Sequence, residues 1–175
     1  HTYRAAMQAY TAQNFPAALD LLTPLAQNGY APAQFHLGMM HGAGLGVPAD
    51  AQRGGYFLQQ AASQKHVGAR AMLAKLYRQG TGVPRDLATA ADWSESLAQD
   101  GYAPAQYQLA QCYEKAEGRK RDYPAAVHWY QTAGEQGYAK AVNRLAQAYG
   151  RGELGLTADK QQQLAWQQRL QHRVW

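Results

Sequence analysis

One offset of 36 residues runs through this chain and limits what it can fold into. Ala33, Ala69, Ala105 and Ala141 are spaced by it, and so are Leu37, Leu73, Leu109 and Leu145. His41, Tyr77, Tyr113 and Tyr149 follow the same step, with His in place of Tyr once. Gly44-Leu45-Gly46-Val47-Pro48 returns as Gly80-Thr81-Gly82-Val83-Pro84. Asn14, Asp50, Asp86, Asp122 and Asp159 each stand where a second helix would open. Only the last of these steps is 37, which puts one inserted residue near Leu154-Gly155. A large residue follows each of them seven positions on: Leu21, Phe57, Trp93, Trp129 and Trp166.

The stretch from Ala69 to Ala105 shows what one unit is. Ala69, Leu73, Ala74, Leu76 and Tyr77 form one helical stripe and leave Arg70, Lys75 and Arg78 elsewhere. Ala90, Trp93, Leu97 and Ala98 supply the second helix. Two helices of this length cannot bury both stripes alone, whereas stacked copies can. The expectation is therefore all-α: an α-solenoid of stacked antiparallel helix pairs, four to five repeats of 36 residues in one domain over 1–175. The repeats fall at 33–68, 69–104, 105–140 and 141–175, after a degenerate, tetratricopeptide-like opening repeat at 1–32.

Departures from the pattern are informative. In the opening repeat, Tyr3 to Ala12 reads as a helix, and Asn14 followed by Pro16 matches Asp122 followed by Pro124. Both are capping side chains with Pro in the first turn, where its missing N–H costs nothing. Gly54 aligns with Ala90 and Ala126, which implies close helix approach, while its neighbour Gly55 has no evident reason. Lys65 aligns with Gly29, Gly101 and Gly137, so its turn is expected to differ from theirs. Ala116-Glu117-Gly118-Arg119-Lys120-Arg121 replaces the Gly-rich turn of the other repeats. Asp159 with Gln162 has capping-box spacing, and Arg169, His172 and Arg173 suit the negative end of a helix dipole.

The segment LAKLYRQGTGVPRDLATAADWSESLAQDGYAPA resembles the Sel-one-like repeat, a relative of the tetratricopeptide repeat, and LAQCYEKAEGRKRDYPAAVHWYQTAGEQGYAKA carries the same signature. The resemblance covers roughly 31 to 175. It implies a right-handed superhelix and a protein-interaction scaffold, often exported in bacteria and tied to envelope or secretion processes. A periplasmic or exported setting is thus expected over the cytoplasm. Exported relatives often staple each helix pair with a disulfide, and Cys112, the lone cysteine, cannot.

Candidate chemistry is sparse. No apolar run approaches 18 residues, so no membrane span is expected. The chain opens at His1 rather than Met, so it reads as a mature form or as a piece of a longer protein, and its start says nothing about compartment. No cysteine-based zinc site can form, and His36 and His41, five residues apart, share a helical face poorly. Gly44/Gly46 and Gly80/Gly82 lack the strand and the Lys-Ser/Thr pair of a phosphate loop. Ser94 and Ser96 have no His placed to activate them, and Asp92 with Glu95 reads as a solvated face. Cys112 shares an aliphatic slot with Met40, Leu76 and Ala148 and reads as a buried thiol. His41 reads as packed in the Tyr slot, and the Phe57, Trp93, Trp129, Trp166 series reads as core. No enzyme, cofactor or metal is expected.

What remains is the variable face of the first helices, the inner curve of a solenoid. It offers Gln34, Phe35, His36 and Met39, then Arg70, Met72, Lys75 and Arg78. Tyr107, Gln108, Gln111 and Glu114 follow, and then Asn143, Arg144, Gln147 and Arg151. Exposed Phe, Met and Tyr with Arg is an interface composition. The reading is a non-enzymatic adaptor that binds another protein on its concave face, as a monomer. A net charge of +5 favours a partner with an acidic surface or peptide. Arg119-Lys120-Arg121 comes with no nucleic-acid reading motif, so nucleic acid is not the expected ligand. A narrower form is an inhibitor or immunity-type partner of a secreted toxin. The alternative is a peptidoglycan or other glycan binder that sets Phe35 and Tyr107 against sugar.

Overall fold

Many of the helix ends carry a local signal. Asn14, Asp50 and Asp122 stand before helices and accept hydrogen bonds from the backbone N–H three residues on, at Ala17, Arg53 and Ala125. Asp159 accepts from both Gln161 and Gln162. Gly44, Gly80 and Gly152 close first helices in the left-handed conformation, each with its N–H bonded to the carbonyl four residues back. These caps satisfy backbone groups that a helix end leaves orphaned.

A computed structural model describes residues 2–171, and among them every regular element is α-helical. They form two compact units that meet in sequence after Asp86. The first contains α1 (Thr2–Thr11), α2 (Phe15–Gln27), α3 (Ala31–Ala43), α4 (Ala51–Ser63) and α5 (Val67–Gln79). The second contains α6 (Leu87–Gln99), α7 (Ala103–Lys115), α8 (Tyr123–Glu135), α9 (Ala139–Arg151) and α10 (Lys160–Gln171). Within each unit every helix packs on the next in sequence. First helices thus begin at Ala31, Val67, Ala103 and Ala139, again 36 residues apart. The all-α solenoid class follows from these pairs. His172 and Arg173, expected near a helix end, lie outside the described residues.

The core sits where the stripe places it. Ala33 and Leu37 are buried with Ala18, Leu22 and Met40 in the first unit. Ala141 and Leu145 are buried with Tyr130, Val142 and Trp166 in the second. Three expectations need correction. Of the large-residue series Trp166 is buried and Phe57 and Trp129 pack against the cores partly buried, while Trp93 is only partly covered. The deeper slot is one residue later, at Leu22, Leu58, Ser94 and Tyr130. Cys112 is half-buried rather than fully enclosed.

The Lys65 turn does not differ either. Lys65 has φ 65°, in the same left-handed region as Gly29, Gly101 and Gly137. The replaced turn behaves likewise, because Ala116 (φ 56°) and Gly118 (φ 78°) reproduce the backbone of Gly80 and Gly82. The close approach at Gly54 is real: a Cβ there would meet the Gly38 carbonyl oxygen at 2.7 Å and the Gly42 nitrogen at 2.9 Å.

Candidate functional site: the faces of the first helices

The candidate surface was built from positions left over once the packing stripe is removed, and the structure sorts them into structural and accessible groups. Arg70 is the largest departure, being only 3% exposed. Its guanidinium turns back to donate to the Lys65 carbonyl at 2.9 Å, so it is part of the frame rather than of an interface. Gln34 occupies the same slot one repeat earlier and is also buried. Its amide donates to Ala26 O at 3.1 Å and accepts from Gln64 at 2.9 Å. Gln106 repeats this, donating to Ala98 O and accepting from Gln136. A buried amide thus ties the carbonyls ending one helix pair to the next pair.

Arg144 is the second departure. Its Nε and Nη2 grip Glu114 at 3.1 and 3.0 Å, and its Nη1 reaches Glu153 at 2.9 Å. The Tyr130 hydroxyl donates to the same Glu114 carboxylate at 2.7 Å. Burial alone would push the Glu114 carboxyl up, but the bonds from Arg144 and Tyr130 hold it below the usual carboxylate range. Bonding to Glu114 raises Arg144, while burial and the same carboxylate raise the Tyr130 phenol. The bidentate pair locks α7, α8 and α9 together.

The aromatic members are engaged within the chain. Phe35 stacks on His66 at 4.7 Å between centroids, and His36 bonds the Pro32 carbonyl and the Tyr3 hydroxyl. Tyr107 packs between Tyr130 and Tyr138, with its hydroxyl accepting from Gln111. Neither Phe35 nor Tyr107 is therefore a bare platform for a sugar ring. His41 stacks on Phe57 at 5.4 Å.

The other residues are accessible in degrees. Lys75, Asn143, Gln147 and Arg151 are exposed, whereas Met39, Met72, Arg78 and Gln108 are half-buried. Met39 and Met72 line one cavity of about 210 Å³ in the first unit, with Leu58 and Leu76. The basic turn is largely structural: Arg119 pairs with Asp92 at 2.7 Å and Glu95 at 3.0 Å, and Arg121 donates to Glu114 O. No described group of three or more His, Cys, Asp or Glu is placed to hold a metal ion. No described helix is long and apolar enough to cross a membrane.

Sequence reasoning missed the Glu114–Arg144 lock and the buried amides. One signal for the lock is visible in retrospect. Glu114 aligns with Gly42, Arg78 and Gly150, and Arg144 with His36, Met72 and Gln108, so Glu114 is the single acid of its slot and Arg144 the single Arg of its own.

Comparison with known families places the repeat. The Sel1 repeat model matches 31–66, 67–102, 103–138 and 139–167. Among solved structures, a protective antigen of uropathogenic Escherichia coli with an SLR fold is 27% identical, with a TM-score of 0.89. That match covers 98% of this chain but 37% of the antigen, so the chain spans little more than a third of that protein. A Sel1 repeat protein from Oxalobacter formigenes is 24% identical over 94% of this chain and 67% of its own, with a TM-score of 0.85. An immunity protein from Pseudomonas aeruginosa is 21% identical over 98% of this chain and 80% of its own, with a TM-score of 0.54. No curated protein matches.

Proposed function

Because the chain belongs to the Sel1 repeat family, we propose that it is a non-enzymatic scaffold that binds another protein through the faces of its first helices. One observation carries the reading. The conspicuous polar groups of the chain fall into two sets with different fates. Gln34, Arg70, Gln106, Glu114, Arg119 and Arg144 are consumed by internal hydrogen bonds or ion pairs. Lys75, Asn143, Gln147 and Arg151 stand exposed on first helices, where a partner can reach them. Arg70 and Arg144 accordingly leave the proposed contact set. Phe35, His36, Met39, Met72, Arg78, Tyr107, Gln108 and Gln111 stay in it as partly covered contacts.

The net charge of +5 supports an acidic partner surface. We place the activity in the bacterial envelope or in secretion. The fold is shared with a protective antigen of Escherichia coli, and with an immunity protein whose likeness speaks to the fold alone. An inhibitor that occludes a secreted toxin is the narrower form of the same activity.

Site-specific photo-crosslinking tests the face assignment. A photoreactive side chain at Lys75 or Gln147 is expected to capture one common protein, and one at Gln52 or Gln161 on second helices to capture none. Equal yields from both sets would sink the assignment.

A further inference from the structure

Within the first unit, one apolar cavity stays open between α3, α4 and α5 where two helical glycines leave it unfilled. Its walls are Met39, Leu58, Met72 and Leu76, and its volume is about 210 Å³. Gly38 and Gly54 form the tight side, because any Cβ there would strike backbone of the facing helix. Gly42 and Gly55 are different. A Cβ on Gly42 would meet nothing within 4 Å, and one on Gly55 only a Val83 methyl at 3.8 Å. Packing therefore does not require Gly at either place, although each weakens its helix by about 0.5–1 kcal/mol against Ala. What their bareness does is keep the cavity open. In the same slots the other repeats carry Lys75, Gln111 and Gln147 for Met39, and Arg78, Glu114 and Gly150 for Gly42.

The size and surroundings of the cavity identify its occupant. Its volume is below the roughly 300 Å³ at which sites for drug-sized molecules begin, and it suits one aliphatic side chain. Lys75 is exposed one turn along α5 from the cavity residue Met72. Over residues 50–86 six Lys or Arg stand against Asp50 and Asp86, and of the six Arg70 is buried in the frame. An apolar socket beside an exposed cation, in a stretch of net positive charge, selects an apolar anchor flanked by a carboxylate. We propose that this cavity receives one Leu-, Ile- or Met-sized side chain from an acidic segment of the partner protein, with a neighbouring carboxylate on Lys75. The proposal rests on the scaffold reading and adds the chemistry of the bound segment.

Random peptides displayed on phage and panned on the whole chain test it. Enrichment of sequences with one Leu, Ile or Met beside Asp or Glu is expected. A synthetic peptide of that consensus is expected to lose about tenfold or more in affinity on Gly55→Leu and on Gly42→Leu, which fill the cavity. Lys75→Glu should weaken it comparably, and thermal melts should show all three variants folded. Undiminished binding to both filled variants would overturn the cavity assignment and leave the scaffold reading standing. No enrichment on the wild type would overturn it too, and crosslinking through Lys75 and Gln147 then decides the fate of the scaffold reading. Enriched apolar peptides without acids, or a dimer of this chain that dissociates on Gly55→Leu, would put another occupant in the cavity and equally contradict the proposal.

Discussion

Gly54 and Gly55 are neighbours in α4, yet their substitution by Ala should move stability in opposite directions. At Gly54 a new methyl group would meet backbone atoms of α3 at 2.7 and 2.9 Å, so the two helices must separate. Gly54→Ala is expected to cost about 1–3 kcal/mol in urea denaturation, the range of overpacked cores. Gly55→Ala meets only ordinary contact and should gain about 0.5–1 kcal/mol from helix propensity. Lys65 makes a related point at a turn, since a side chain in the left-handed region carries a steric cost that Gly avoids. Lys65→Gly should stabilise by about 1 kcal/mol. At the Glu114–Arg144 pair the expectation is reversed. Arg144→Ala leaves a mostly covered carboxylate without its bidentate partner, for a loss of about 2 kcal/mol. Because Glu114 is held below the usual range, its contribution is complete above the unfolded carboxyl value. It is lost as pH falls through the lower folded value. Glu114→Gln should remove that part of the acid sensitivity.

At the scale of the helix, the caps and turns were legible because they depend on a few consecutive residues. Asn14, Asp50, Asp122 and Asp159 cap as their spacing foretells, and the left-handed turns recur in the Gly slots, at Lys65 against the expectation that its turn would differ. The Glu114–Arg144 lock and the Arg119 clamp were not legible, because partners 24 to 30 residues apart meet only when helices pack. The same applies to Arg70, whose charge suggested a surface that its position denies. His66 is a helix-scale surprise of another kind. Its Nδ1 accepts from Ala69 N–H at 3.1 Å and caps α5, where Tyr30, Tyr102 and Tyr138 cap nothing with their side chains. That bond needs the neutral ring. Burial, then His36 and Arg70, lower the His66 value, so its contribution is full above about pH 6.5 and is lost as pH falls below it. His41 shares the direction, through burial and Arg53 against an opposing Asp50. Stability should therefore decline as pH falls below about 6.5. His66→Asn, which keeps a capping oxygen, should flatten part of that decline in melts across the range.

At the scale of the whole chain, repetition explains how few residues are left for function. Once each repeat has placed its stripe and caps, and two of them a buried amide, little of its sequence remains uncommitted. Charge is divided unevenly: residues 1–86 hold seven Lys or Arg against three Asp, while residues 87–175 hold ten against nine. The exposed cations on first helices are the groups through which an acidic partner would be recognised. The most direct test is calorimetric titration of the crosslinked partner, once purified, into three forms of this chain. Lys75→Glu with Arg151→Glu reverses two exposed first-helix cations, and Arg53→Glu with Lys160→Glu reverses two exposed second-helix cations, for the same change in net charge. The expected result is a loss of about tenfold or more for the first pair and near wild-type affinity for the second. Equal losses from both pairs, or none from the first, would contradict binding through the first-helix faces.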